Sequence, residues 1–224
     1  MLIQAIDIKR GFPMGGGTFW ALNGISLNVA ESKLTILKGR SGSGKTTMMN
    51  LLGALDYPTE GEVIFNGLPI SSASERLRGN LRRREIGFVF QSVALIGMMT
   101  AFENVEFALR ISGYPERGRK KRVEACMDLV GLSSRMYHMP AELSGGEQQR
   151  VAIARAIVHE PKVIFADEPT AELDTNTGLQ VVKIFKDLID SEGTTVVMTT
   201  HDPDLMDVAD RVYELADGRI INEY

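Results

Sequence analysis

The sequence has little of what stabilises small secreted proteins and nothing that would anchor it in a membrane. It has one cysteine, Cys126, which excludes an internal disulfide and favours a reducing compartment. No apolar run approaches the ~20 residues of a helix that crosses a bilayer. Residues 1–8 alternate like a strand and lack the basic-then-apolar order of a signal peptide. We therefore expect a cytosolic protein.

An excess of positive charge is also absent. The chain has 25 Lys and Arg against 29 Asp and Glu, a net charge of −4, which gives no reason to expect a nucleic acid partner. Its hydrophobic content of 44% is ordinary for a globular protein. A length of 224 residues is enough for one large α/β domain or for a core with a subdomain.

Residues 39–46 fit the phosphate-binding pattern of a glycine, four residues and then Gly-Lys-Thr. The apolar run before them predicts a buried strand, and residues 47–52 continue as a helix. Glycines let successive N–H groups turn around a polyphosphate, with Lys45 on the β- and γ-phosphates and Thr46 on Mg²⁺. A glycine- and serine-rich surface loop is the alternative, but the flanking strand and helix favour the phosphate loop.

Two carboxylates follow a second predicted buried strand, at residues 163–166. A carboxylate at the end of a core strand beside a phosphate loop is where P-loop nucleotidases hold Mg²⁺. We assign Asp167 to the metal, through water. Glu168 is one residue further on and is assigned to an attacking water as general base.

Residues 143–150 open a helix that predicts a second anion site. Ser144 is a good N-cap, and Gly145 and Gly146 expose N–H groups at the positive end of the helix. Two phosphate-binding helix starts this far apart in one chain suggest that two copies sandwich the nucleotide.

The remaining pattern predicts antiparallel strands over 3–9 and 21–29, joined by a glycine-rich link. Phe12 in the link and Trp20 beside it are the aromatics that could stack on an adenine ring. We favour Phe12, because an exposed aromatic in a loop has fewer packing reasons to exist. The basic segments 76–84 and 117–122 could approach anionic lipid, but solvated faces are the preferred interpretation. Further helices are predicted over 101–111, 117–130, 145–159 and 177–191, with a strand over 194–199.

The phosphate loop, then Leu-Ser-Gly-Gly-Glu-Gln at 143–148, then Asp-Glu after an apolar strand resemble the ATP-binding-cassette (ABC) ATPases over essentially the whole chain. The resemblance implies an α/β fold, a P-loop NTPase core with an antiparallel β subdomain and a helical subdomain. We expect a single domain over 1–224. The core and β subdomain would be residues 1–91 and 161–224, and the helical signature subdomain about 92–160.

The resemblance also implies individual roles. Gln91 resembles the Q-loop glutamine, which senses Mg²⁺ and water and borders the groove for a membrane partner. Residues 171–174 resemble the D-loop, with Asp174 at the dimer interface, and His201 resembles the switch histidine on the γ-phosphate. His159 matches nothing and is interpreted as a helix-dipole partner. The implied catalytic residues are Glu168, His201 and Gln91; the Mg²⁺ ligands are Thr46, Gln91 and Asp167; and the ATP-binding residues are Phe12, Gly39, Ser41, Gly42, Ser43, Gly44, Lys45, Thr46, Thr47, Ser144, Gly145, Gly146 and Asp174.

The family's mechanism implies a homodimer that closes head-to-tail on two MgATP and opens on hydrolysis. Residues 21–27, 87–91 and 139–144 resemble the branch that serves macrolide efflux, lipoprotein release and cell division. That branch implies a separate transmembrane permease, with or without an extracytoplasmic adaptor, and a place on the cytoplasmic side of the membrane. Gly97 stands where the branch usually has proline.

Other functions stay open beside this one. Amino-acid importer ATPases share part of the same strings. A soluble ABC ATPase of translation or DNA repair is disfavoured, because the chain holds one cassette and has no room for a long coiled coil. A P-loop kinase does not account for residues 143–150.

Overall fold

The structure, a computed structural model, describes residues 1–171 and 173–224, apart from the side chains of Pro203 and Asp204. The chain forms two compact units. Unit one is residues 1–82 with 195–224, and unit two is residues 83–194. The boundaries expected for the core and the helical subdomain stay a prediction.

The chain alternates strands and helices in the mixed α/β pattern expected. The strands are β1 (Ile3–Met14), β2 (Gly17–Val29), β3 (Leu34–Lys38), β4 (Glu60–Phe65), β5 (Leu68–Pro69), β6 (Ile86–Val89), β7 (Val163–Asp167), β8 (Thr195–Thr200), β9 (Arg211–Ala216) and β10 (Arg219–Glu223). The helices are α1 (Lys45–Leu52), α2 (Glu75–Arg84), α3 (Ala101–Ser112), α4 (Glu116–Leu129), α5 (Gly145–Ile157) and α6 (Thr175–Glu192), with short 3₁₀ helices at Ser133–Arg135, Pro140–Glu142 and Pro203–Val208.

The first hairpin of unit one is longer than predicted. Strands β1 and β2 pair from Ile3 opposite Val29 to Met14 opposite Gly17, and the turn is made at Gly15 and Gly16. Strand β1 also pairs with β4, which pairs with the short β5, and all of these pairings are antiparallel. The predicted glycine link is therefore only the tip of the hairpin. Phe12 lies in a strand, so the prediction that it sits in a loop was wrong.

The other strands of unit one carry the phosphate loop. Strand β3 pairs in parallel with both β8 and β9, and β9 turns back on β10 through Asp217 and Gly218. Strand β8 is buried throughout, and Leu34–Leu37 in β3 are buried as well. Parallel strands covered on both faces are expected to be continuously apolar, which is why these runs could be read from the sequence.

Two arginines of the basic helix α2 point inward and hold the chain that follows α1. Arg78 is only 1% exposed. It donates to the carbonyls of Asp56 at 2.6 Å and Ile70 at 3.1 Å, and its guanidinium lies over the Tyr57 ring at 3.6 Å. Arg82 donates to the Ala54 carbonyl at 2.6 Å. The interpretation of residues 76–84 as a solvated face was therefore wrong for these two side chains.

Unit two contains the short parallel pair β6 and β7 and the helices α3, α4, α5 and α6. Helix α3 begins with a capping box between Thr100 and Glu103. The buried Asn104 ties down the turn before it: its Nδ2 donates to the carbonyls of Ile96 and Met99, and its Oδ1 accepts from Ile96 N at 2.8 Å. Gly97, the departure from the branch pattern, lies in this turn with open space around its Cβ position.

Helix α5 ends at Ile157, two residues earlier than predicted, and Arg122 binds the carbonyls at this end. The Arg122 guanidinium donates to Val158 O at 3.0 Å and Ile157 O at 3.3 Å, so this member of the second basic segment is not a solvated side chain. His159 follows the helix, and its Nε2 lies 3.1 Å from Ile86 O in β6. Burial lowers the pKa of His159. Its role as a dipole partner of α5 was therefore predicted wrongly.

Gly87 sets how closely β6 and α5 can pack. A Cβ at Gly87 would come within 3.0 Å of the backbone oxygen of Ala156, which cannot move without shifting α5. We expect Gly87→Ala to lower the free energy of unfolding by about 1–3 kcal/mol. Gly97→Ala is the matched control, because nothing lies within 4 Å of its Cβ position. Urea denaturation measures both, and equal midpoints for the two variants would contradict the role of Gly87.

Candidate functional site

The loop between β3 and α1 has a backbone that requires glycine at two positions. Gly39 has φ +156° and Gly44 has φ +105°. A Cβ at Gly39 would come within 3.0 Å of the Leu215 carbonyl, and one at Gly44 would lie 2.7 Å from the Ala21 carbonyl. The neighbouring strands thus exclude a side chain at Gly39 and at Gly44, which leaves bare main chain at both ends of this loop.

Lys45 places its charge inside this loop. Its side chain is 6% exposed, and its Nζ donates to Gly39 O at 2.7 Å and Arg40 O at 3.2 Å. Helix α1 begins on Gly44, which has no side chain with which to cap it, so its positive end faces the loop. The buried Ser43 Oγ has no hydrogen-bond partner among the described residues. A curved backbone, a cation, an uncapped helix start and a spare hydroxyl together fit a polyphosphate.

His201 leaves the sheet next to the start of this loop. Strands β3 and β8 run in parallel, with Lys38 directly opposite Thr200. Gly39 follows Lys38 and His201 follows Thr200, so both residues leave the sheet at the same level. His201 is exposed. The histidine after β8 therefore lies at the same edge of the sheet as the phosphate loop, and its contact with a γ-phosphate stays a prediction.

Phe12 and Trp20 are equally exposed, each at 38%, so exposure does not choose between them. Their surroundings differ. The Trp20 ring lies over the backbone of Gly11, where an added Cβ would be 3.2 Å from two ring carbons. The Phe12 ring has the Arg10 guanidinium 4.5 Å from its centroid, and Arg10 is held by two hydrogen bonds to Asp56, at 2.8 and 3.0 Å. Stacking of Phe12 on adenine stays a prediction.

The carboxylates predicted in unit two lie at the end of a strand, as expected. Asp167 is the last residue of β7, and Glu168 follows it with φ +44°. A glutamate rarely adopts this left-handed conformation, so the surrounding structure holds it there. Gln91 is exposed and lies just beyond β6. Groups of three or more His, Cys, Asp or Glu that could hold a metal by themselves do not occur among the described residues.

The start of α5 is built as predicted, with a further interaction. Ser144 Oγ accepts from Glu147 N at 3.3 Å, and Glu147 Oε2 accepts from Ser144 N at 2.8 Å. This capping box lowers the pKa of Glu147, chiefly through the hydrogen bond from the Ser144 backbone. Glu147 also pairs with Arg135 at 3.2 Å. Ser144 and Gly145 are exposed, so a ligand can reach this helix start from solution.

Asp174 is the N-cap of α6. Its Oδ1 accepts from the backbone N of Asn176 and of Thr177 at 3.1 Å, and its Oδ2 accepts from Thr177 Oγ1 at 2.6 Å. These hydrogen bonds, with that from the Thr177 hydroxyl first, lower the pKa of Asp174. The predicted D-loop also contained Glu172, which lies outside the described residues.

Thr177 is a residue that sequence reasoning missed. A Cβ at Gly146 would lie 2.7 Å from its Cγ2, so Thr177 contacts the start of α5 while it binds Asp174. Gly146 and Asp174, predicted separately, are therefore brought together through one side chain. The Asp-x-x-Thr spacing at a helix start is the signal that could have identified it.

Comparisons with known proteins agree with this arrangement. A family model described as "ABC transporter" matches residues 22–171. The chain is 44% identical over 220 residues to "Uncharacterized ABC transporter ATP-binding protein YknY" of Bacillus subtilis, covering 98% of this chain and 95% of that protein. It is 42% identical to "Lipoprotein-releasing system ATP-binding protein LolD" of Syntrophus aciditrophicus, covering 98% of this chain and 99% of that one.

A larger relative and a solved structure extend the comparison. The chain is 42% identical to "Macrolide export ATP-binding/permease protein MacB" of Syntrophobacter fumaroxidans, of which it covers 31%. A solved structure, described as a dimeric post-hydrolysis state of the ATP-binding cassette MJ0796 bound to ADP and Pi, superimposes with a TM-score of 0.93. Sequence identity to that cassette is 38%, and the match covers 100% of this chain and 98% of that one.

The contact between Gly146 and Thr177 can be tested by stability. We expect Gly146→Ala to lower the free energy of unfolding by about 1–3 kcal/mol, because the new methyl group overlaps Thr177 Cγ2. Adding Thr177→Ser, which removes Cγ2 and keeps the hydroxyl for Asp174, should recover part of that loss. Gly145→Ala is the matched control, with nothing within 4 Å of its Cβ position. Chemical denaturation that shows the same loss at both glycines would rule out this contact.

Proposed function

The chain belongs to the ABC transporter family, and we propose that it is the ATP-binding and ATP-hydrolysing subunit of a transporter whose permease is a separate membrane protein. One observation carries the proposal: the chain has two helix starts suited to phosphate, α1 behind the loop with Lys45 and α5 behind the capping box of Ser144. A phosphate loop alone would fit many nucleotidases. The pair fits a nucleotide held between two copies.

Each part of MgATP has a proposed place in unit one or unit two. The loop and Lys45 bind the β- and γ-phosphates, and Phe12 stacks on the adenine. Mg²⁺ prefers oxygen ligands and is usually held by one or two carboxylates together with substrate phosphates. The oxygen ligands that we assign to it are those of Thr46, Gln91 and Asp167.

Two copies of the chain are proposed to close head-to-tail on two nucleotides. Each ATP would lie between Lys45 and Thr46 of one copy and the start of α5 of the other. Ser144 and Gly145 are exposed, so a second copy of the chain can bring its nucleotide to this helix start. The related cassette MJ0796 was solved as a dimer with ADP and Pi. Hydrolysis would remove the γ-phosphate that joins the copies and so open the pair.

Hydrolysis is assigned to Glu168 as general base and to His201 and Gln91 as groups around the γ-phosphate and the attacking water. The left-handed backbone of Glu168 supports a functional role, since such conformations cluster where a side chain must be aimed. His201 is supported by its place after β8, beside the phosphate loop. A positioned base typically contributes about 10²–10⁴-fold to a rate.

The permease is proposed to be of the macrolide-efflux or lipoprotein-release type. The LolD relative is matched along 99% of its length and is named for a lipoprotein-releasing system. The MacB relative carries an ATP-binding part and a permease in one protein, and this chain matches 31% of it. None of the helices in the described residues is long and apolar enough to cross a membrane. The cassette would sit on the cytoplasmic side of the membrane through its permease, with or without an extracytoplasmic adaptor.

The catalytic assignment predicts a variant that binds ATP but does not turn it over. We expect Glu168→Gln to lower the rate of phosphate release by about 10²–10⁴-fold while the Kd for ATP changes little, because the base is lost and the phosphate loop is intact. Glu124→Gln, at a carboxylate of α4 that lies 3.9 Å from Lys120, serves as the matched control. A Glu168→Gln chain that hydrolyses ATP at the wild-type rate would refute the assignment.

The transporter assignment predicts what the chain binds in its own membrane. We expect tagged Glu168→Gln chain, held closed by MgATP, to retain a permease with few spans and a large outer domain from detergent-solubilised native membranes. The same preparation without nucleotide is the control. A many-span importer permease would overturn the efflux branch in favour of nutrient uptake. Soluble or ribosomal partners alone would overturn the transporter function and leave the ATPase chemistry standing.

A further inference from the structure

The segment that follows Gln91 has an unfavourable backbone. Val93 has φ +46° and Ala94 has φ +50°. Left-handed conformations are uncommon for any residue with a Cβ, and a β-branched side chain such as valine is a genuine outlier there. Two such residues in succession would not keep this shape by local preference. Local hydrogen bonds from Val93 N to Phe90 O and from Ala94 N to Ser92 O support this turn, and we expect an interaction from elsewhere in the chain to stabilise it further.

Arg155 on α5 supplies that interaction. Its Nη1 donates to Ala94 O at 2.6 Å, and its Nη2 donates to Val93 O at 2.9 Å. The two nitrogens of one planar guanidinium thus bind two successive carbonyls. A guanidinium keeps its donors in a fixed fork, so it specifies the direction of both peptide groups. A lysine ammonium can also reach two successive carbonyls, as Lys45 does, but its single nitrogen lacks the planar fork that fixes the direction of each peptide group.

Arg155 lies near the end of helix α5, whose start at Ser144 is the second predicted phosphate site. Helix α5 begins at the capping box of Ser144, and Arg155 lies eleven residues further on, about 16 Å along the helix axis. Between them Val151, Ala152, Ile153 and Ala154 are all fully buried. Movement of the helix start is therefore transmitted to the backbone that follows Gln91.

We propose that Arg155 is a positioning residue, which sets the backbone on which Gln91 is presented and ties it to the helix start at Ser144. It contacts peptide carbonyls and has no role in binding the nucleotide. The inference rests on the proposed function, in which Gln91 acts on Mg²⁺ and water. If Arg155 acts in this way, a change in the orientation of helix α5 also changes the position of Gln91.

The test is steady-state ATP hydrolysis by the full chain, together with equilibrium binding of ATP. We expect Arg155→Ala to lower kcat by about 10–100-fold, the effect of misplacing a group by about 1 Å, with less than about a twofold change in the Kd for ATP. Arg155→Lys keeps the charge but loses the fork, and its kcat should fall clearly below wild type. Unchanged kcat in both variants would overturn the proposal.

Glycine substitution separates positioning from a structural role. Glycine adopts the left-handed conformation without a steric penalty, so Ala94→Gly in the Arg155→Ala chain should restore kcat several-fold, with Ala94→Gly alone as the reference. Loss of α5 packing would not respond to this change. If Arg155→Ala fails to fold, the same pair is made with Arg155→Lys, and absence of rescue there overturns the proposal.

Arg122 provides the matched control, since it also donates to two successive carbonyls, at the end of the same helix. Arg122→Ala should lower the unfolding midpoint but reduce kcat much less than Arg155→Ala does. Equal losses of kcat would mean that Arg155 is merely structural. A wild-type chain without ATPase activity refutes the proposed function, whereas an active chain whose kcat does not change when Arg155 is substituted refutes only this inference.

Discussion

Guanidinium groups that bind main-chain carbonyls hold the chain at or just beyond the ends of two helices, α1 and α5. The last carbonyls of a helix have no partner within it, and they carry partial negative charge. Just beyond α1, Arg82 and Arg78 bind the carbonyls of Ala54 and Asp56, and at the end of α5 Arg122 binds those of Ile157 and Val158. Both helices whose first turns are suited to phosphate thus have a cation at the opposite end. The negative end of each helix is thus compensated by cations of its own chain.

The same interaction orders the loops of the site. Lys45 binds two carbonyls of the phosphate loop, and Arg155 binds two carbonyls after Gln91. Backbone in an unusual conformation leaves carbonyls without a partner in a helix or sheet. A basic side chain with several N–H donors can bind two of these carbonyls at once. Loops that must keep a defined shape without a sheet or helix around them therefore depend on a few basic side chains anchored nearby.

What could be predicted from the sequence was local. The buried runs of β3, β7 and β8 and the caps of α5 follow from periodicity and from residue chemistry within a few positions. Phe12 was placed wrongly, because the tip of the hairpin pairs through backbone bonds that its mixed side chains do not signal. The contacts of Thr177 with Gly146 and of Arg155 with Val93 and Ala94 were missed, since these partners are 31 and more residues away along the chain. Such contacts depend on how the helices of unit two pack, and no local pattern records that.

The turn before α3 illustrates how such anchoring affects variation between relatives. The turn is held by the buried side chain of Asn104, which forms hydrogen bonds with the peptide groups of Ile96 and Met99. Its outward residues take little part: Met98 is 88% exposed, and Gly97 stands in open space. Mutations at those outward positions leave the turn intact, provided that the asparagine is kept. Selection can therefore remodel this surface for a new neighbour at almost no cost in folding.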